Sequence, residues 1–395
     1  MRNKLIIVIT LGILFQIIIG CSTKWTQVIQ FGEIAKKEFR ETIDIEINND
    51  LIFVPVTIKG KEYRFLFDTG APFSISEQLQ RENNFKIVSK GTIVDSDRNS
   101  KKVNWSQVDS ICIGKLSFLN HAAFVGDFKA NPILSCLEID GIIGSNLIRN
   151  SNWTIDQEQN SLSMHNSIEA DDIKGSTSIS FKTDKQYNMF IDINIASATL
   201  RKVLVDYGSS GSISLNDEIF KTIKSKNIIG ETWFEKGKRQ SGIVGKRVDL
   251  SREFTYSDSV CLASNQLKSV MLRTGKTTSI GNKILSNFRV TIDWNIRKLH
   301  LIDSGKTPDP IRFSGFKLGY SADLGVHVQS VVENSNAYIS GVRPNMKVMK
   351  LDSLNFESEN DFCDYVRYKS ENNIFIELID STGHKIEYHF EKTNI

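Results

Sequence analysis

Arg64-Phe65-Leu66-Phe67-Asp68-Thr69-Gly70-Ala71 runs from apolar residues into an acid, a hydroxyl and a glycine. The apolar run reads as a short buried strand. A carboxylate at its end is costly to bury unless other groups hydrogen-bond it or a second acid shares its proton. Thr69 supplies a hydroxyl, and Gly70 lets backbone approach the carboxyl closely or take positive φ. Asp68 is then either a turn-capping acid or a catalytic one. The choice turns on a second copy of the stretch.

Val203-Leu204-Val205-Asp206-Tyr207-Gly208-Ser209 repeats the order of strand, acid and glycine. Upstream, Asn49-Asp50-Leu51-Ile52-Phe53-Val54-Pro55-Val56 matches Tyr187-Asn188-Met189-Phe190-Ile191-Asp192-Ile193. Downstream, Asp109-Ser110-Ile111-Cys112-Ile113 matches Asp258-Ser259-Val260-Cys261-Leu262. Further on, Ile143-Gly144-Ser145-Asn146-Leu147-Ile148 matches Ile280-Gly281-Asn282-Lys283-Ile284-Leu285. Both copies close alike, with Trp153-Thr154-Ile155-Asp156 and Val290-Thr291-Ile292-Asp293-Trp294. Each aspartate precedes its own Ile-Gly element by about 75 residues, as a duplicated unit requires. The repeat is a β-rich lobe of about 130 residues, an ordinary domain size.

At 395 residues, with 40% hydrophobic and 24% charged residues, the chain has room for two or three domains with real cores. A net charge of +3, without a basic run or an aromatic stacking platform, excludes nucleic acid as the expected partner. Residues 1–20 read as a signal peptide: Arg2 and Lys4 precede an apolar stretch from Leu5 to Ile19, short for a membrane span. The stretch ends in Ile18-Ile19-Gly20-Cys21, which resembles the bacterial lipobox. Cleavage before Cys21 and lipidation of its thiol are expected, with an uncleaved anchor helix as the other reading. The expected address is outside the cytoplasm, held to a bacterial membrane at its periplasmic or surface face.

Of the remaining cysteines, Cys112 and Cys261 fall at equivalent strand positions and are expected to pack as small buried hydrophobes. No C-x-x-C pair exists, and an exported address permits disulfides without requiring them. Residues 21–39 read as a polar tether or first helix, 40–166 as lobe one and 167–178 as a solvated linker. Residues 179–304 read as lobe two, with Pro308-Asp309-Pro310 marking the next boundary. Lys59-Gly60 reads as a hairpin turn, and Asp95 to Lys102 as a hairpin tip. The expected fold class is all-β dominated, with duplicated β-barrel lobes and a C-terminal α+β unit over residues 311–395.

In that unit Gly325 to Val331 alternates as a strand, Glu333 to Val342 reads as a short helix ending at glycine, and Pro344 to Leu351 as a turn and strand. A helix near Asp361 to Tyr368, a strand Ile374 to Ile379, a turn at Ser381-Thr382-Gly383 and a last strand follow. The order resembles a circularly permuted bacterial PDZ domain, with Asn336 where proline is usual and Asn345-Met346 where glycine-aspartate usually follows. The resemblance places the loop that caps a peptide carboxylate at Ser314-Gly315-Phe316-Lys317-Leu318. PDZ domains bind peptides by adding a strand to a sheet edge.

Two strand-end aspartates from pseudo-symmetric lobes can meet and hold one proton between them. Phe67-Asp68-Thr69-Gly70-Ala71, Asp140-Gly141-Ile142-Ile143-Gly144 and Trp153-Thr154-Ile155-Asp156 resemble the motifs of bacterial pepsin- and retropepsin-like aspartic proteases carrying a C-terminal PDZ domain. That resemblance implies acid-protease-like lobes, a catalytic pair Asp68 and Asp206, active-site loops at Thr69-Gly70 and Tyr207-Gly208, and a flap at Asp95 to Trp105. It also implies peptide or unfolded-protein substrates, no cofactor or metal, and a monomeric protease unit.

Lobe two departs from the pattern at Tyr207, where the family has threonine or serine, and lacks the Asp-Gly before Ser279-Ile280-Gly281. The tyrosine is either tolerated, with its ring lining the cleft or packing on the core, or marks lobe two as a relic. The alternative function is therefore a non-catalytic peptide-binding lipoprotein, and a third reading forms the dyad by homodimerisation. A serine hydrolase reading of Gly208-Ser209-Ser210-Gly211-Ser212 fails because no strand–elbow–helix surrounds it and no histidine has a recognisable partner. The six histidines form no HExxH pattern. The anchor is tested by Cys21→Ser, expected to block processing and mislocalise the protein; mass spectrometry finding an unmodified N-terminus at Met1 refutes it.

Overall fold

A computed structural model describes residues 24–306, 312–358 and 361–394. The signal segment, Cys21 and the Pro308–Pro310 boundary lie outside the described residues. The fold is mostly β, about half strand. No helix among the described residues is long and apolar enough to cross a membrane.

Each repeat begins with a hairpin whose second strand delivers an aspartate. In lobe one Leu51–Ile58 pairs with Lys61–Phe67 across Lys59-Gly60, both at positive φ. That is the twist-matched geometry a two-residue hairpin turn needs. In lobe two Met189–Ile195 pairs with Ala198–Val205. A strand from later in each lobe then joins in parallel, Gly141–Ile143 beside Phe65–Phe67 and Ser279–Ile280 beside Leu204–Val205. The crossing is tight: a Cβ on Gly144 would stand 2.1 Å from the Pro72 carbonyl carbon. Only glycine lets the two chain segments pass.

The lobes share a six-stranded sheet in the order Thr177–Ser180, Lys298–Asp303, Phe288–Asp293, Asn152–Asp156, Ser161–His165 and Arg40–Asp44. Its two central strands place Thr154 opposite Thr291, with hydroxyls 3.0 Å apart. The pseudo-twofold axis passes there, because the strands on either side of that pair are equivalent segments of the two repeats. One continuous apolar core, from Ile45 to Leu301, runs through both lobes.

Each lobe also raises a long hairpin, Lys86–Val94 with Ser100–Ile113 in lobe one and Trp233–Arg239 with Val248–Ser257 in lobe two. The second is continuous with the C-terminal unit: Glu235, Lys236 and Gly237 pair with Val332, Val331 and Ser330 of the strand Gly325–Val332. That unit contains Phe316–Ser321, Lys347–Leu351, Asn373–Ile379 and Lys385–Glu391 as further strands, with helices Asn336–Ser340 and Asp361–Arg367. Its own core centres on Val328, Val348, Phe362 and Ile376.

Several expectations are corrected. Residues 24–39 are no free tether: Trp25–Val28 forms a short helix, as the second reading expected, Trp25 stacks on Trp105, Val28 and Ile29 are buried, and Glu33–Ile34 adds a strand to lobe one. Their apolar side chains dock because Trp105 offers an uncovered face. Nor is 167–178 simply solvated, since Asp172 takes a bidentate hydrogen bond from Arg40, which holds its carboxyl down at about 2, and Thr177–Ser180 is already sheet. Cys112 and Cys261 are only half-buried, Cys112 with its sulfur 3.3 Å from the Ser117 hydroxyl. Cys136 and Cys363, whose pairing the sequence left open, form a disulfide between lobe one and the C-terminal unit.

Buried charge joins the same units. Glu235 accepts a hydrogen bond from Ser330 and lies 3.2 Å from both Arg252 and Lys317. Its carboxyl is held at about 2: burial alone would raise it, and the Lys317 and Arg252 charges with the Ser330 hydroxyl outweigh that. A folded value below the ordinary one stabilises the protein above the ordinary carboxylate range and loses that contribution as pH falls toward 2. Glu235→Gln leaves two cations short of a partner and is expected to cost about 3 kcal/mol at neutral pH. Urea unfolding from pH 7 to pH 2 checks this: the gap to wild type should close as the pH drops, and a constant gap would contradict it.

Candidate active site

Asp68 and Asp206 sit at the ends of equivalent strands. Their backbone N–H groups donate to Ile143 and Ile280 carbonyls, each at 3.0 Å. Each carboxylate accepts from the glycine two residues on, Gly70 N–H to Asp68 Oδ1 at 2.7 Å and Gly208 N–H to Asp206 Oδ1 at 3.1 Å. The two carboxyls also hydrogen-bond each other. Glycine is required at both loops by space alone: a Cβ on Gly208 would stand 2.2 Å from Asp68 Cγ, and one on Gly70 2.8 Å from Asp206 Oδ1.

Both carboxyls titrate above the ordinary carboxylate range. Burial is the main cause for each, and for Asp206 the neighbouring Asp68 charge adds to it. The Gly208 and Gly70 N–H groups oppose the shift, but do not cancel it. Two acids so placed hold one proton between them and titrate as a pair.

Thr69 braces the loops from one side. Its hydroxyl donates to the Val205 carbonyl at 2.6 Å and accepts from the Tyr207 N–H at 3.1 Å, both across the interface. Tyr207 returns no equivalent bond. Its ring is fully buried and meets Phe67 of lobe one edge-on at 5.6 Å, so it lines no cleft. Its hydroxyl finds no hydrogen-bond partner among the described residues. The loop is held instead by Asn282, whose side-chain N–H donates to the Tyr207 carbonyl at 2.9 Å.

The two long hairpins meet at their tips. Asp97 of lobe one is buried there, accepting from Ser241 N–H at 2.8 Å, Ser241 Oγ at 2.8 Å and Gly242 N–H at 3.0 Å, with Arg239 Nε 2.8 Å away. Asp95 accepts from Val244 N–H, and Asn131 donates to the Gln240 and Gly242 carbonyls. Ile243 packs into the apolar cluster that includes Ala71 of the Asp68 loop. The tips therefore join the two lobes a second time.

The remaining predicted residues lie elsewhere. Gly315 takes φ +81° against Ser335, Phe316 is buried, Leu318 N–H bonds the Tyr365 hydroxyl, and Lys317 reaches Glu235. Phe316, Lys317 and Leu318, but not Gly315, border a cavity of about 340 Å³ between Phe316–Ser321 and Asp361–Arg367, which Ile133 of lobe one also lines. Asp97, Asn282 and Arg273 were missed. A charge at Arg273 directly after the apolar run Val270-Met271-Leu272 was the available signal.

Residues 54–147 match the aspartyl protease family model. The match spans the Asp68 loop and the first hairpin, and it supports an aspartic-protease, hydrolase activity. No curated protein matches the chain.

The buried Tyr207 hydroxyl makes a stability prediction. Tyr207→Phe removes an unpaired polar group and should stabilise the protein by about 1 kcal/mol. Tyr207→Thr should cost about 3 kcal/mol through the cavity left against Phe67. Thermal unfolding of both variants checks the pair, and a Tyr207→Phe variant less stable than wild type would mean that the hydroxyl is bonded.

Proposed function

We propose that this protein is an aspartic-type endopeptidase that hydrolyses peptide bonds with a water activated by Asp68 and Asp206. The observation that carries the reading is the hydrogen-bonded pair of carboxyls at the ends of equivalent strands, each fixed by a glycine N–H. The ionised member takes a proton from the bound water as its oxygen attacks the peptide carbonyl. The protonated member hydrogen-bonds the carbonyl oxygen and gives its proton to it. The tetrahedral intermediate then collapses as the leaving amine takes the water-derived proton from the first acid. One hydroxyl of the intermediate returns its proton to the second acid, so the pair ends with one proton as it began. The protons balance within the pair, so the mechanism asks for no cofactor. Both acids come from one chain, so the reading takes the protease unit as a monomer and asks for no second copy.

The C-terminal unit is read as a PDZ-like module that assists peptide recognition at its cavity beside Gly315 to Leu318. The N-terminal segment is read as a lipoprotein signal that holds the enzyme to a bacterial membrane through Cys21, on the periplasmic or surface face. A second reading, a peptide-binding protein without catalysis, is favoured by one observation: Tyr207 leaves the loops braced by the Thr69 hydroxyl alone.

Asp68→Asn and Asp206→Asn should each lower cleavage of an unstructured protein by about 10²–10⁴-fold without unfolding the chain. Wild-type activity should fall at both ends of the pH range, since one shared proton is needed. The alkaline limb should lie above the ordinary carboxylate range, because burial raises both acids. A raised folded value costs stability as pH rises, so Asp206→Asn should unfold at a higher temperature than wild type at neutral pH and lose that advantage below about pH 4. Full activity in Asp206→Asn would sink the two-lobe dyad and leave the dimer, whereas no wild-type cleavage at any pH would favour the binding protein.

A further inference from the structure

The parallel pairings make Arg273 and Phe124 symmetry mates. Ser74 pairs with Ile142 on one side and Phe124 on the other; Ser214 pairs with Ser279 on one side and Arg273 on the other. Ile142 and Ser279 each precede the isoleucine that accepts the catalytic-loop aspartate's N–H. Equivalent strand positions thus carry an aromatic ring in lobe one and a guanidinium in lobe two.

Phe124 is buried against Trp105, in an apolar cluster that Ile243 joins. Arg273 is different. Leu272 beside it points into the core, so the Arg273 side chain leaves the opposite face of its strand and stays partly exposed. It reaches the loop that follows Asp206, where a Cβ on Gly211 would stand 2.5 Å from Arg273 Nη2. The missing side chain at Gly211 is what leaves room for the guanidinium.

No carboxylate among the described residues lies within 4.0 Å of Arg273, and it makes no hydrogen bond with another described residue. Its neighbours do not compensate it: Arg239 is taken up by Asp97, and Arg252 and Lys317 share the single carboxylate of Glu235. Burial and the charges of Arg252 and Arg239 pull its value down to about 10, and Glu235 and Asp206 act against this only from a distance. The guanidinium is thus a planar donor set, close to the dyad, without a bidentate partner. Arginine in that state matches a carboxylate best.

We propose that Arg273 is a specificity subsite for an acidic side chain, so that the substrate carries Asp or Glu within a residue or two of the scissile bond. The inference rests on the protease reading for its cleavage prediction, but not for its binding prediction. Lobe one offers no matching subsite, because Phe124 stands at the equivalent position.

The test uses peptide pairs identical except for Glu or Gln, placed in turn at each position flanking the cleaved bond. Wild-type kcat/KM and the Kd of the Asp68→Asn protein are both measured. At one position Glu should be favoured over Gln by about tenfold or more in both measurements. Arg273→Gln should bring that ratio toward one, and Arg273→Lys should keep part of it, with folding followed by circular dichroism. Absence of a Glu preference at every position in the wild-type and Asp68→Asn proteins overturns the subsite, with no variant required. So does an undiminished preference in folded Arg273→Gln. If wild type cleaves nothing while Asp68→Asn protein still prefers Glu, the protease reading fails and the subsite stands.

Discussion

Two half-buried carboxylates set against each other cannot both be charged easily, and the rest of the molecule follows from holding them in that position. Each acid must arrive at the end of a strand with its lone pairs satisfied, or burial would push it apart from its partner. The fold meets this twice over by the same device. A hairpin strand ends at the acid, a parallel strand from later in the lobe accepts its N–H, and a glycine N–H two residues on bonds the carboxylate. The shared sheet fixes the distance between the two ends, with Thr154 and Thr291 in hydroxyl contact near its axis.

The duplication is not kept symmetric where symmetry would have cost little. Thr69 spans the interface with two hydrogen bonds, whereas Tyr207 fills the equivalent space with a ring against Phe67. A hydroxyl bridge is directional and a packed ring is not, so lobe two's loop is positioned more by contact and by Asn282 than by a bond across the dyad. The equivalent strand positions of Phe124 and Arg273 diverge likewise. Such differences are open to a fused duplicate but closed to a dimer of identical chains, which must place the same residue on both sides.

The sequence made the paired lobes legible because duplication leaves a regular trace: two acids after apolar strands, two Ile-Gly elements at matching distance, two closing strands. It made the hairpin turn at Lys59-Gly60 legible through local conformational preference. What it did not show depends on contacts between segments far apart in the chain. Asp97 reads as one polar residue in a polar tip, and only the meeting of two hairpins makes it a buried acceptor. Glu235 looks like a surface charge in an alternating strand until the C-terminal sheet covers it. Cys136 and Cys363 have no spacing that announces a bond. The Trp25 segment looked polar because its few apolar residues are scattered, yet they are the ones that dock.

Those distant contacts decide which parts can move. The C-terminal unit is tied to lobe one by the Cys136–Cys363 disulfide and by Asn49, whose side chain donates to the Val366 carbonyl. It is tied to lobe two by backbone pairing and by Glu235. It therefore straps both lobes together. Separating the lobes would require breaking a covalent bond, or uncovering a carboxylate whose buried ion pairs cost about 3–5 kcal/mol to break from one side. The hairpin tips are held differently. They centre on Asp97, a fully buried carboxylate paired with Arg239 and bonded to Ser241 and Gly242. Hydrogen bonds to a charged group contribute about 1.5–3 kcal/mol each, so the tips are a second firm link between the lobes. The strand ends that carry Asp68 and Asp206 are thus held from both sides of the interface, by the strap and by the joined tips.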